Sequence, residues 1–572
     1  MSSRALGLLV AALATLVGGD VAVAAPGDLA GQSCVSRSGG EGCTPLAQPG
    51  MLDAANGVVV APDGTDVYVG AAAGVAHFRR APDGSLSYAS CFDTSPTAGS
   101  PCPTTVPAEG QGALSLNAIN LAISPDGKSL YAVSWADSLL WWNRDPVSGA
   151  LTWGGCRDAA ANAAANGHCG TATTFGGGNF PAGSMDYPQG ISVSSDGQTV
   201  YIGDQTEGLL AAQRNTTTGV PTPTSCFNNT GSQATGCVAL AAGVPMAVSG
   251  IDVAANGRDV YLRSISPGGI THFSRSGSVT SFASCVGSSF ASPPCTSAAP
   301  MPVFAYSGSL GVAGDTLFTH GGNYGPPTSG TTARFTRNAD GSLAFVACAT
   351  TESSPGPCAP LPAKTAGGGI GRLLVSPDAS SVYLAQLGNA ERALTRLTGS
   401  LSFASCLSDT GVAACSAPPL PGPFAVSPGQ MALSPDGRQI YQAADEQLTT
   451  FAVEQAAGPA VPAPAASAGK RKATAPKIRS VKRDAKGRYL VKVKVFQAGP
   501  VTARFLGKLK PKGKPRTLGK VARKRASGPG VLALLVKPSA PARERRLRAK
   551  LVVEISPSGY LPAQSAKGLR LR

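Results

Sequence analysis

Apolar residues recur in short runs along most of this chain, and one turn breaks the runs at regular intervals. Leu121-Ala122-Ile123 is followed by Ser124-Pro125-Asp126-Gly127 and then by Leu130-Tyr131-Ala132-Val133. Proline presets φ for the first turn position, Asp can bond its own backbone, and Gly accepts positive φ. The pattern predicts strand, tight turn, strand. It returns at Ser434-Pro435-Asp436-Gly437, with Tyr441 in the place of Tyr131. Weaker copies bring the anchor aromatics to seven: Tyr68, Tyr131, Tyr201, Tyr261, Phe318, Tyr383 and Tyr441, spaced 57 to 70 residues apart. Two copies are degraded. Ala255-Asn256-Gly257 replaces Pro-Asp-Gly in the fourth, and Val312-Ala313-Gly314 does so in the fifth.

A second pattern runs in step with the first. After most anchors come a strand carrying an aromatic and an Arg, a Gly turn, and a strand ending in Cys. Phe78-Arg79 precedes Gly84-Ser85-Leu86 and Cys91, Phe335-Thr336-Arg337 precedes Gly341-Ser342-Leu343 and Cys348, and Gly399-Ser400-Leu401 leads to Cys406. One unit therefore reads as strands a, b, c and d. A repeat of this length with four strands is the signature of a β-propeller.

The two ends of the repeat region complement each other. Gly27-Asp28-Leu29-Ala30-Gly31-Gln32-Ser33-Cys34 aligns without gaps to Gly84–Cys91, so the chain opens on a strand d. The seventh unit supplies strands a, b and c (Met431–Leu433, Ile440–Ala443, Leu448–Val453) and then stops. The expectation is an all-β protein: a seven-bladed β-propeller over 26–455 closed by its N-terminal strand, which removes an open sheet edge. An Ala/Pro-rich linker over 456–475 follows. Residues 476–572 regain period-2 alternation, as in Val491, Val493 and Val495 against Lys492 and Lys494, and predict a small basic β-sandwich. A partly disordered basic tail is the competing expectation.

Residues 1–24 read as a secretory signal, with Arg4, an apolar run and Ala22-Val23-Ala24 as the cleavage site. This predicts an exported bacterial protein, secreted or associated with the cell envelope, with no membrane span after cleavage. The fourteen cysteines fit export. They fall into consecutive pairs: Cys34 with Cys43, Cys91 with Cys102, Cys156 with Cys169, Cys226 with Cys237, Cys285 with Cys295, Cys348 with Cys358 and Cys406 with Cys415. Each pair returns at the same place in the repeat, which predicts one local disulfide per unit. Zinc is disfavoured, because there is no Cys-x-x-Cys. No metal or cofactor is expected.

The repeats, with their Arg-bearing strand and Gly-x-Leu turn, resemble the lactonase-like seven-bladed propellers and the secreted Tyr-Val-Thr-Asn-type repeat proteins. The resemblance covers about 26–455 and rests on turn and packing residues. It implies the fold, and it opens lactone hydrolysis as an activity of some members. It transfers no catalytic residue to this chain.

Candidate chemistry therefore comes from position. The mouth of a propeller channel lies where strand a begins and strand b ends. Arg372, Arg263, Asn120, Gln386 and Gln430 are the candidate ligand-binding residues there, and His320, Asp204 and Asp252 the candidate catalytic ones. His77 and His272 occupy matching strand c positions and read as structural. There is no Gly-x-Ser-x-Gly elbow and no phosphate loop.

Charge separates the chain into two parts. Residues 470–572 hold 30 Lys and Arg against 3 acids, whereas the rest holds 18 against 29. A net +27 on about a hundred residues attracts polyanions. Behind a signal peptide, the expected partner of 476–572 is an anionic cell-wall or extracellular polymer rather than nucleic acid. A small molecule or protein is the expected ligand of the propeller face. The leading functional expectation is a non-enzymatic binding scaffold. A lactone hydrolase acting at the channel mouth and a purely structural surface protein are the alternatives.

Overall fold

A computed structural model describes most of the chain between Ala25 and Gln455 and between Ala475 and Arg570. Outside the described residues lie 1–24, 456–474 and 571–572. So do the internal segments 40–42, 47–48, 95–101, 108–119, 159–168, 170–184, 230–235, 254–256, 288–294, 298–307, 323–329, 352–355, 363–371, 388–391, 409–414, 417–428, 485–487, 496–498, 508–515, 527–529, 539–547 and 556–562, and a few one- or two-residue gaps. The signal and linker expectations fall there. The chain divides into two compact units, Met1–Ala456 and Ala457–Arg572.

The first unit contains seven sheets built from the repeats. Sheet 2 is typical: Asn120–Ile123 (a), Ser129–Ser134 (b), Ser138–Arg144 (c) and Leu151–Asp158 (d), each antiparallel to the next. Strand b is buried along its whole length in sheets 1, 2, 3 and 7. Strands covered on both faces need continuous apolar runs rather than alternation, and Leu130-Tyr131-Ala132-Val133 supplies one. The a strands pack on one another in sequence: Gly57–Val60 on Asn120–Ile123, that on Pro188–Val193, and on through Val248–Val253, Gly308–Ala313, Arg372–Val375 and Met431–Leu433. Met431–Leu433 packs back on Gly57–Val60, so the order is cyclic.

Sheet 7 is assembled from both ends of this unit. Leu29–Ser36 pairs antiparallel with Gln447–Val453, with Leu29 opposite Val453 and Ser36 opposite Gln447. The alignment of Gly27 with Gly84 is realised physically. The Tyr441 hydroxyl donates to the Gly84 carbonyl at 2.9 Å, and Tyr383 donates to the Gly27 carbonyl at 3.0 Å.

All seven expected cysteine pairs are disulfides. Cys34 bonds Cys43, Cys91 bonds Cys102, Cys156 bonds Cys169, Cys226 bonds Cys237, Cys285 bonds Cys295, Cys348 bonds Cys358 and Cys406 bonds Cys415, with Cα atoms 4.5 to 5.5 Å apart. The first member of each pair, on strand d, is buried. Of the second members, Cys43, Cys102, Cys169, Cys295 and Cys358 are buried as well, whereas Cys237 and Cys415 are half-buried. Five of the bridges fasten a short fifth strand parallel to strand d. In sheet 4, Cys295–Ser297 runs beside Val279–Gly287 with Cys285 opposite Cys295. The other four are Thr44–Pro45, Thr104–Thr105, Val238–Leu240 and Ala359–Pro360, each just after the second cysteine of its pair. Beside Cys415 the same return is reduced to one bridge, between Leu407 and Ser416. The four-strand expectation is corrected in those five sheets: the staple folds the chain back along the outer edge and pairs part of strand d, which limits edge pairing with other chains.

The second unit holds two sheets over one apolar core. One contains Lys477–Arg483, Tyr489–Val495 and Gly530–Pro538. The other contains Gly499–Gly507, Arg548–Ile555 and Ala563–Arg570. Val491, Val493, Val501, Phe505, Leu534, Val536, Leu551 and Val553 fill the core.

Candidate binding sites

The repeat residues form latches between sheets. In the Ser-x-Asp-Gly turn, the Ser124 hydroxyl donates to Asp126 at 2.6 Å and accepts from Ser129 N at 3.0 Å. Gly127 sits at φ 67°, the left-handed region that suits glycine. Asp126 also receives Arg214 of the next sheet at 3.0 Å, and Arg214 donates to the carbonyl of its own Gly197. The same set recurs. Arg144 reaches Tyr68, Asp63, Asp66 and its own Gly127; Arg80 reaches Tyr441, Asp436 and its own Gly64. The anchor tyrosines other than Tyr201 then donate onward to the c–d turn of the following sheet, as Tyr68 to Gly149 and Tyr131 to Gly219, both at 2.6 Å. Burial pushes the hydroxyl of Tyr131 up to about 12, so it stays a donor. In several units the latch arginine is the second residue after a strand c aromatic, as Arg144 after Trp142 and Arg337 after Phe335. In the first unit it is Arg80 rather than Arg79, which instead pairs with Asp66.

Where the repeat decays, the latch changes. Phe318 has no hydroxyl, and in the fifth turn Ala313 takes the place of Asp126, with Asp315 after the Gly instead. Arg396 of the sixth unit bonds Ser381 and pairs with Asp28, just before the closing strand, at 2.8 Å.

The channel-mouth candidates divide into two groups. Arg263 and His320 are both buried and come together around Gly308, where a Cβ would strike the His320 carbonyl and press on the Arg263 guanidinium. His320 shares a 2.9 Å hydrogen bond with Thr332, and Arg263 donates to Ser249 at 3.0 Å. Burial, reinforced by the Arg263 charge, lowers His320 to about 3; burial lowers Arg263 to about 9. At neutral pH, His320 is an uncharged ring beside a cation.

The second group is engaged with backbone. Asn120 donates to the Gln189 carbonyl at 2.9 Å, and Asp252 accepts from Val312 N at 2.9 Å. The Gln430 side-chain oxygen accepts from Val58 N at 3.2 Å and Leu121 N at 3.1 Å, and its amide returns a bond to the Leu121 carbonyl. These three tie neighbouring a strands together. Asp204 accepts from Tyr187 N and Thr206 N, both at 2.9 Å, and shapes the end of its strand. Arg372 is half-buried at the start of strand a, opposite Ala385, and Gln386 pairs with Ala393 in the ladder. Trp141 and Trp142 are fully buried between sheets.

Position-by-position reading of the mouth missed one constellation. His272 lies between Ser284 and Asp259, with its Nδ1 3.2 Å from the Ser284 hydroxyl and its Nε2 3.0 Å from Asp259. A carboxylate only accepts, so Nε2 carries the proton and Nδ1 accepts from Ser284. Burial lowers the His272 pKa against the opposing pull of Asp259. A cavity of about 120 Å³ is lined by His272, Ser284, Thr296 and Ser342. Ser90, His77 and Asp66 repeat the arrangement in sheet 1. Burial disfavours ionisation of Asp66, but hydrogen bonds from His77 and Arg144 outweigh it and hold the carboxyl far below its usual range. The matching strand c positions of the two histidines carried the signal. The serines facing them across the ladder could be found only once the register was known.

Among the described residues, no group of three His, Cys, Asp or Glu side chains is arranged to hold a metal ion, and no helix is long and apolar enough to cross a membrane.

No protein-family model matches the chain, and no curated protein matches it. Solved structures similar to it include a 6-phosphogluconolactonase candidate from Bacteroides uniformis, at 12% identity and TM-score 0.39, covering 61% of this chain and 82% of that one. Another is the hydrazine synthase of Kuenenia stuttgartiensis, at 13% identity and TM-score 0.40, covering 71% and 97%. A third is a 6-phosphogluconolactonase candidate from Bacteroides fragilis, at 13% and 0.38, covering 61% and 82%. Similarities this distant carry no functional argument.

Proposed function

We propose that residues 26–455 form a seven-bladed β-propeller serving as an exported scaffold for a ligand or partner. Residues 476–572, a basic β-sandwich, hold it on an anionic polymer of the cell envelope. The cyclic packing of the a strands and the two-ended sheet support the propeller. The seven local disulfides support an oxidising compartment. One observation carries the binding role: a net +27 concentrated in 470–572, beside a remainder of net −11. A soluble surface needs charge of either sign, and a concentration of one sign creates a field that gathers polyanions. The engagement of Asn120, Asp252 and Gln430 with backbone favours a platform over a reactive mouth.

The test uses the full oxidised chain. Lys508, Lys510, Lys512 and Lys514 are changed to Gln together, and co-sedimentation with an insoluble anionic polysaccharide is measured at low salt. Wild type is expected to sediment and the variant to be largely released. If wild type stays in solution, the tethering role is wrong.

A second reading, a lactone hydrolase, is favoured by the Ser284–His272–Asp259 chain beside its cavity. In it, the Ser284 hydroxyl attacks the lactone carbonyl while His272 Nδ1 takes its proton. The ring C–O bond breaks, and the leaving alkoxide takes the proton back. Water then cleaves the acyl-serine by the same relay. Turnover across a lactone panel that falls in Ser284→Ala but not in Ser90→Ala supports it. Turnover lost in Arg372→Ala and His320→Ala would place the reaction at the channel mouth instead. No turnover above background ends both versions.

A further inference from the structure

Of the eight large apolar side chains exposed among the described residues, three lie on one face of one sheet in the basic unit. Leu490 is 37% exposed, Val531 61% and Leu535 45%. The ladder sets Leu490 and Leu535 side by side at one end of the face and Val531 towards the other. Leu490 stands directly opposite Leu535, and Val531 opposite Lys494. Along Tyr489–Val495 the inward positions Val491, Val493 and Val495 are buried, so 490, 492 and 494 share the outward face. The neighbouring strand puts Lys482 beside Leu490 and Lys477 beside Lys494. Lys477, Lys482, Lys492 and Lys537 are all exposed. Of the unit's three acids, Asp484 is paired with Arg488, Glu554 lies on the other sheet and Glu544 falls outside the described residues.

This face thus interleaves apolar and cationic side chains: the Leu490–Leu535 pair lies beside Lys482, Lys492 faces Ala533 in the middle, and Val531 faces Lys494. A purely polyanionic partner explains the lysines but gives the exposed leucines nothing to do. An anionic lipid surface explains both. Lysine stems lie along apolar surface while their ammonium groups reach the headgroup phosphates, and the leucines enter the boundary with the acyl chains. The geometry points to this sheet face as a docking surface for anionic lipid, with Leu490, Leu535 and Val531 as the inserted residues and the flanking lysines as the headgroup contacts. The inference rests on the anion-binding reading of the same unit and narrows its partner.

The test is flotation of the full oxidised chain with phosphatidylcholine vesicles that contain or lack phosphatidylglycerol, alongside binding to soluble polyphosphate. Wild type is expected to float only with the anionic vesicles. The double variant Leu490→Ser with Leu535→Ser should weaken vesicle binding about tenfold or more while leaving polyphosphate binding unchanged. Both sites are exposed, and Val531→Ser gives an independent variant in the same direction. The double variant Lys482→Gln with Lys492→Gln should weaken both interactions. Polyphosphate binding without vesicle binding, or serine variants that float like wild type, overturns the lipid inference and leaves the anion-binding reading standing. Failure to bind either probe overturns both.

Discussion

At the scale of single residues, the repeat is a set of latches whose cost of removal follows from burial. The Arg144 side chain is fully buried between Asp63, Asp66 and Tyr68. Arg144→Gln leaves Asp66 buried with His77 and Arg79 but without its strongest cation, and should destabilise by about 3 kcal/mol. Tyr131→Phe strands the Gly219 carbonyl and should cost about 1–3 kcal/mol; chemical denaturation measures both. Phe318 shows that one sheet manages without the hydroxyl, in a unit whose turn has Ala313 in the place of Asp126. Titration supplies a further expectation. His320 binds a proton near pH 6.5 when unfolded but only near 3 when folded, so the unfolded state holds more protons between those values. Stability is present above about pH 6.5 and should fall by about 1.4 kcal/mol per pH unit below it. His272, also lowered, adds in the same direction. His320→Gln should flatten this acid limb; an unchanged limb would assign it to other groups.

At the scale of elements, the disulfides and the closing strand can be tested separately. Changing Cys285 and Cys295 together to Ser frees a loop of about ten residues, releases the fifth strand of sheet 4 and should cost about 2–3 kcal/mol. Deleting residues 26–36, with Cys43 changed to Ser so that no thiol is left unpaired, bares the Gln447–Val453 edge and should produce self-associating species by light scattering. Strands a to d and the pairing of the two ends were legible because turn chemistry and apolar runs are local and repeated seven times. The parallel fifth strand was not, because the staple holds two or three residues with no apolar pattern of their own. The channel-mouth candidates were legible only as positions. Asp252 and Gln430 resemble free functional groups in sequence because their partners, Val312 N, Val58 N and Leu121 N, are backbone atoms that no residue name reveals. The repeat puts Arg263 and His320 at matching strand ends, but their approach and burial depend on Gly308, which carries no such signal in the sequence.

At the scale of the whole molecule, charge and architecture divide the labour. The larger unit spends its polar side chains on holding sheets together, through latches, turns and bonds between a strands. The smaller one places a compact valine and leucine core under an outer face that mixes lysine with exposed Leu490, Val531 and Leu535. The proposed anion-binding role rests on that contrast, and salt dependence tests it most directly. The binding constant of the full oxidised chain for soluble polyphosphate should be measured across a range of salt concentrations. A steep fall with rising salt is expected, a shallower fall in the Lys508, Lys510, Lys512 and Lys514→Gln variant, and no change in Gln430→Ala. Binding that is insensitive to salt, or that survives neutralisation of those lysines but fails in Gln430→Ala, would contradict that role and move the site to the channel mouth.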